Sequence, residues 1–440
     1  MNPCLTPFLQ ACVRTLGFVL FVGVCRLAAE TEFIPSANPL PTARVEFSSL
    51  EGRPGIAMSI TSPVDLTEPF SPSVTVSKPD GTLLPVASDG DGRFVVDAPD
   101  ATALRVTVAP DAASAGKVRT LNVAVFCGDL GAAMRRLHER ARALPPIQAK
   151  AGLAHAIERD MRAWILNRLA GIESEPVENP AGPASGNPAN EYLYASELIG
   201  WMEKGSDIFT LARGRQLPAR HTFEVKDGAE DRTMAFNFMI RLPETASEAP
   251  WPLLVVIHGF SPKPTISGAV REEIESVAGG AAFPFLVVSL SFNGPMRGSG
   301  GWNPAEVTAL IDSLHADYPA DRDRTYLTGF SMGGMGTIRV VAHRPDMFAA
   351  YAPLCPRADP SLAPKLADVP AYFYHGENDP TISVEQSVVF CKALEAAGGK
   401  PRLRIYQGMG HAVWTDVYRE PAFYEKLLSH RRSPAPVVHE

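Results

Sequence analysis

The chain has 440 residues, too many for one ordinary core, so two or three domains are expected. With 20% charged and 45% apolar residues it has the composition of a folded chain, which excludes pervasive disorder. A formal charge of −7 gives no electrostatic reason to expect nucleic acid or an anionic membrane as partner, so a small or neutral partner fits better.

The N-terminus carries Arg14, an unbroken apolar run from Leu16 to Cys25 and then the small residues Ala28 and Ala29. This three-part layout predicts a secretory signal over 1–29, cleaved after Ala29. The apolar run is about half of what a bilayer span needs, which makes an uncleaved anchor the weaker reading. After cleavage no stable membrane insertion is expected, and the chain is read as secreted or periplasmic. Cys4, Cys12 and Cys25 fall in the signal, leaving Cys127, Cys355 and Cys391. Three thiols cannot all pair internally; buried free thiols are expected, with a Cys355–Cys391 bridge left open.

Residues 30–127 hold short alternating segments such as "ARVEF", "GIAMSI", "SVTVS" and "LRVTVAP", separated by turn signals such as "KPDG". Strands at this spacing predict an antiparallel, immunoglobulin-like β-sandwich that carries no chemical constellation. In 128–215, "DLGAAMRRLHERARAL" and "AGLAHAIERDMRAWILNRLAGI" have apolar residues three and four apart, predicting helices that bridge or brace two domains. The Pro/Gly/Asn-rich stretch 173–191 reads as a flexible connection, and "YLYASELIGWMEKG" as a further helix.

From 216 to 430 the pattern becomes α/β. "HTFEVK" and "AFNFMIRLP" predict an antiparallel opening pair. "PLLVVIHG", "FPFLVVSLS", "RTYLTGFS", "FAAYAPLC", "VPAYFYHG" and "PRLRIYQG" are continuous apolar runs, as expected for strands covered on both faces in a parallel sheet flanked by helices.

Within this domain "YLTGFSMGG" places Ser331 in a G-x-S-x-G sequence directly after a strand and before a helix. The chain must reverse sharply there, and Gly329 and Gly333 leave room for the turn. A serine hydroxyl is a weak nucleophile unless a base takes its proton and a third group orients that base. Asp379 in "YFYHGENDPTIS" and His411 in "IYQGMGHAVW" follow in the order such folds require, each in the loop after a strand of the same sheet edge. Glu377 is the rival acid, and the Asp-Pro turn favours Asp379. His258 and His375 each precede a glycine at a strand end and are read as shaping turns. The backbone N–H groups of Met332 and Phe260 are the expected oxyanion donors. Trp302 and Trp414 could wall the acyl pocket, although core packing is the commoner fate of tryptophan.

"PLLVVIHG", "DRDRTYLTGFSMGGMGT", "HRPDMFAAYAPLC", "VPAYFYHGENDPTIS" and "GMGHAVW" together resemble the α/β-hydrolase superfamily. More narrowly, they resemble secreted bacterial esterases of the prolyl-oligopeptidase-like or polysaccharide-esterase type. The resemblance spans 220–430 and departs after Gly259, where relatives often continue with further glycines and this chain reads "FSPKPTISGAVREE". It implies a serine carboxylic-ester hydrolase acting on a small-molecule or polysaccharide ester, without metal or organic cofactor. A prolyl-oligopeptidase-like serine peptidase is the nearest alternative, but the residues before 216 are too few for the propeller such enzymes carry. A non-catalytic carbohydrate-binding or adhesion protein is the alternative of a different class.

Overall fold

A computed structural model describes residues 31–432 except 36–42, 51–53, 63–69, 89–92, 100–101, 113, 115–117, 119, 148–151, 173–187, 227–230, 245–249, 261–270, 279–282 and 292–300. The expected signal and its cleavage site, most of the expected flexible connection and the loop after Phe260 therefore lie outside the described residues.

In chain order the elements begin with strands β1 Thr31–Pro35, β2 Arg44–Ser49, β3 Gly55–Thr61, β4 Ser73–Ser77, β5 Leu83–Leu84, β6 Ala87–Ser88, β7 Arg93–Asp97, β8 Thr102–Ala109 and β9 Leu121–Cys127. Helices α1 Leu130–Arg142, α2 Leu153–Ile172, α3 Pro188–Glu203 and α4 Ile208–Ala212 follow. Next come β10 Gln216–Lys226, β11 Asp231–Arg241, β12 Trp251–Ile257, α5 Arg271–Val277, β13 Leu286–Leu290, α6 Pro304–Asp317, β14 Ala320–Phe330 and α7 Met332–His343. The last part holds β15 Ala350–Leu354, α8 Ala363–Leu366, β16 Tyr372–Gly376, α9 Glu385–Ala396, β17 Arg402–Gln407, α10 Trp414–Val417 and α11 Pro421–Leu428.

One nine-stranded sheet runs β1-β17-β16-β15-β14-β12-β13-β11-β10. Its opening pair β10–β11 is antiparallel, as is β11–β13, and the remaining pairings are parallel. Every residue of β12, β13 and β15 is buried, which accounts for their continuous apolar sequence. Strand alternation divides them between two cores. Leu253, Val255 and Ile257 of β12 pack with α6, α7 and α9, whereas Leu254 and Val256 face α5 and α11 on the opposite side. This is the mostly parallel, helix-flanked sheet of an α/β-hydrolase-like domain.

Two four-stranded antiparallel sheets, β2-β3-β7-β6 and β5-β4-β8-β9, share a core containing Ile56, Met58, Val76, Val96, Leu104, Val106 and Val125. On the other face of β8 and β9, Ala103, Ala124 and Phe126 join the core that continues through α1, α2 and α3 to the large sheet. The helices are thus a packed layer between the two parts.

Two boundaries differ from expectation. Residues 31–35, expected in the sandwich, instead pair in parallel with β17 at the edge of the large sheet, where Glu32 meets Arg404 at 2.8 Å. The sequence "TEFIP" has the same alternation as the sandwich strands, and pairing partners are not written in alternation. Residues 188–191, expected in the flexible connection, begin α3, because Pro188 sits in the first turn, where its missing N–H is not needed. Cys127, Cys355 and Cys391 are buried and form no disulfide, so the bridge left open is not made. Among the described residues no helix is long and apolar enough to cross a membrane.

Candidate active site

Ser331 stands between β14 and α7 with φ 56° and ψ −116°, in a region that side-chain-bearing residues rarely occupy. Such a conformation costs on the order of 1–3 kcal/mol and persists only where the surroundings hold it. Here the Ser331 N–H donates to Leu354 O at 2.9 Å, and its carbonyl accepts from Met335 N at 2.9 Å. The glycines permit the close approach. A Cβ on Gly329 would lie 2.6 Å from both Gly333 O and Ile257 O, and one on Gly333 would run into Ile257 O. The backbone of β12 therefore passes directly beside the turn.

The three side chains singled out in sequence meet at this edge. His411 Nε2 is 2.9 Å from Ser331 Oγ, and His411 Nδ1 is 2.6 Å from Asp379 Oδ2. A carboxylate can only accept, so Nδ1 carries the ring proton and Nε2 is left to accept from the serine hydroxyl. Asp379 is itself fixed, its Oδ1 accepting from the Thr381 and Ile382 amides at 2.8 and 3.0 Å. Burial pushes its carboxyl up, but hydrogen bonds from His375, His411 and those amides outweigh burial and hold it well below the usual carboxylate range. Glu377, the rival acid, is turned away and accepts from the Gly408 amide at 2.9 Å.

Two histidines do more than shape turns. His375 is fully buried, and its Nε2 lies 3.3 Å from Asp379 Oδ2 and 2.8 Å from Ile382 O, while Nδ1 meets Ser387 Oγ at 2.7 Å. It reaches the same Asp379 oxygen that His411 does. His258 is buried and its Nδ1–H donates to Gly259 O at 2.5 Å. Burial lowers its pKa and favours the neutral form. Because Gly259 O belongs to the same peptide as the Phe260 N–H, this bond orients that donor. Sequence gave a signal for both, a histidine before a strand-terminal glycine, but not the direction of either ring.

Met332 is buried and opens α7, so its N–H is among those left without an intrahelical acceptor. Phe260 follows β12 by three residues, and the last residue of β12, Ile257, is in register with Gly329 two residues before Ser331. The Phe260 side chain is 69% exposed. Trp302 does not wall a pocket. It is 1% exposed, its Nε1–H donates to His258 O at 3.1 Å, and it packs edge-on against the His258 ring. Trp414 is only partly buried and lies against Phe330 at 3.9 Å between ring centroids, with His411 on the same phenylalanine at 4.9 Å. Ligand atoms of Cys355, His375 and Asp379 lie within 4.8 Å of one another, a spacing that could hold a metal ion. The two latter residues already serve the hydrogen-bond relay, so a metal there would compete with His411 for Asp379.

Residues 304–426 match the profile of the dienelactone hydrolase family. A stretch of 150 residues, 32% of this chain, is 31% identical to a bifunctional acetylxylan esterase/xylanase of Neocallimastix patriciarum, covering 21% of that protein. Over 253 residues, 53% of this chain, it is 25% identical to NocK of Nocardia uniformis subsp. tsuyamanensis, described provisionally as an esterase, covering 65% of it. The chain thus spans about a fifth of one relative and just under two thirds of the other. Among solved structures, a thermostable esterase overlaps 91% of this chain and 93% of its own at 18% identity and a TM-score of 0.45.

Proposed function

We propose that the chain is a serine carboxylic-ester hydrolase working through an acyl-enzyme on Ser331, with His411 and Asp379 as its partners. The observation that carries this reading is the continuous hydrogen-bond path from Ser331 Oγ through His411 to Asp379, starting from a strained serine at a helix N-terminus. Ser331 Oγ attacks the ester carbonyl carbon while its proton passes to His411 Nε2. The charged imidazole is stabilised by Asp379, which stays ionised. Negative charge collects on the former carbonyl oxygen, where the Met332 and Phe260 amides would receive it; each such donor commonly contributes a few kcal/mol to the transition state. The C–O bond then breaks, the alcohol leaves with the His411 proton, and water repeats the sequence on the acyl group.

The substrate is proposed to be a short acyl ester, including acyl groups on polysaccharides. The likeness to a protein named for acetylxylan esterase activity supports that class. We further propose that 1–29 is a cleaved signal, that the two four-stranded sheets form an immunoglobulin-like module, and that the protein acts outside the cytoplasm. The test is paired hydrolysis of p-nitrophenyl acetate and a prolyl p-nitroanilide by one purified sample, with acetylated xylan alongside. Ester cleavage with little or no amide cleavage is expected; cleavage of the amide alone would replace this reading with a peptidase.

A further inference from the structure

A second aspartate–histidine–serine relay stands apart from the site above. His221 Nδ1 on β10 lies 2.7 Å from Asp160 Oδ2 on α2, and His221 Nε2 lies 2.8 Å from Ser313 Oγ on α6. Asp160 Oδ2 also accepts from the Tyr318 hydroxyl at 2.7 Å, and Asp160 Oδ1 from Arg159 Nε at 2.8 Å. Arg159 Nη2 is 3.0 Å from His221 Nδ1 and 2.8 Å from Asp317 Oδ2. Asp160 can only accept, so Nδ1 donates to it and the approach of Arg159 Nη2 to Nδ1 is a contact between two donors; in this tautomer Nε2 is left to accept from Ser313, with Asp317 Oδ2 3.8 Å away. His221 and Asp160 are buried, 0% and 1% exposed in their side chains. Ser313 is half-buried and lines an open groove of about 690 Å³ together with Thr222, Lys226, Thr308, Asp312 and Arg344. A hydroxyl bound to an imidazole, with a buried carboxylate behind it, is thus presented to a cleft.

We propose that Ser313 is a second, stoichiometric acyl-accepting serine, activated by His221 toward small esters with a good leaving group. Ser313 Oγ forms a bond to the acyl carbon, its proton passes to His221 Nε2, the bond to the leaving oxygen breaks and the phenolate departs. The site cannot turn over quickly. Ser313 lies inside α6, where backbone N–H groups are spent on carbonyls four residues earlier and no helix N-terminus faces the reacting carbon. Without such donors the attack of water on the adduct is slow, so the acyl group stays.

The experiment treats Ser331→Ala protein with p-nitrophenyl acetate for an extended time and maps acetylation by peptide mass spectrometry. It does not depend on Ser331 being a nucleophile. We expect an ester adduct at Ser313, released by hydroxylamine, at least tenfold more occupied than at Ser361 and Ser383, which are exposed and hydrogen-bond to no histidine among the described residues. The adduct disappears in the Ser331→Ala/Ser313→Ala protein. Ser313 modified no more than Ser361 and Ser383 would overturn the proposal, and this ratio is read within one folded sample whether or not relay variants fold. In a His221→Gln protein that keeps its native circular dichroism, the ratio should fall to that of the exposed serines; an unchanged ratio also overturns it.

Discussion

The two relays in this molecule are nearly superimposable in their hydrogen-bond lengths and differ in the backbone beneath them. Histidine–carboxylate and histidine–serine distances are 2.6 and 2.9 Å at Ser331, and 2.7 and 2.8 Å at Ser313. Ser331 occupies a left-handed turn at the start of α7, so amides with no helical partner lie next to its hydroxyl. Ser313 sits near the end of a regular helix, with its base and acid sealed behind it. In the mechanism proposed above, three side chains in line activate a serine as a nucleophile, and the strained turn at Ser331 would add the donors that stabilise what the attack produces.

The largest effect expected from this contrast is at Ser331. Ser331→Ala should lower ester turnover by about a millionfold, measured as kcat under saturating p-nitrophenyl acetate, because the remaining members cannot replace the nucleophile. Asp160→Asn should act on stability instead. It weakens charge-assisted bonds from Arg159, Tyr318 and His221 to a buried carboxylate, a loss of roughly 3 kcal/mol in denaturant unfolding. Turnover of the folded fraction should stay within about twofold. A large fall in kcat would mean that the second relay feeds the first.

His375→Gln should lower kcat about ten- to a hundredfold with little change in KM, since a small displacement of Asp379 misorients His411. An unchanged kcat with reduced thermal stability would leave His375 as a packing residue. A smaller effect belongs to His315, whose pKa is pushed down to about 4 from the ordinary 6.5, first by burial and then by the Arg322 and Arg432 charges. Below 6.5 the unfolded chain binds a proton that the folded chain refuses. Its contribution is therefore complete above about 6.5 and is lost as pH falls toward 4. From pH 7 to pH 5 this amounts to about 2 kcal/mol, and His315→Gln should flatten that part of the stability curve.

How far the sequence revealed this arrangement depended on whether a feature is local. The parallel strands were legible because strands buried on both faces need unbroken apolar runs, as in "PLLVVIHG". The turn at Ser331 was legible because glycines are required where β12 passes it. Asp379 was separable from Glu377 through the Asp-Pro turn, and the two carboxylates do point to different places. The bracing of Asp379 by His375 was not legible, since it depends on a ring folding back beneath the loop that follows its own strand. The second relay left no trace. Its members come from positions 160, 221 and 313, and Ser313 lies in a helical pattern with no glycine or turn nearby. The placement of β1 was misread because any alternating segment can serve either sheet.

The most direct test of Ser331 as the acylated residue is rapid acid quenching of the p-nitrophenyl acetate reaction, followed by peptide mapping. The account predicts about one acetyl group per chain on the peptide containing Ser331, formed during the first release of phenolate and lost as substrate is exhausted. Phenolate release at the native rate with that peptide unmodified, or undiminished in Ser331→Ala, would contradict it.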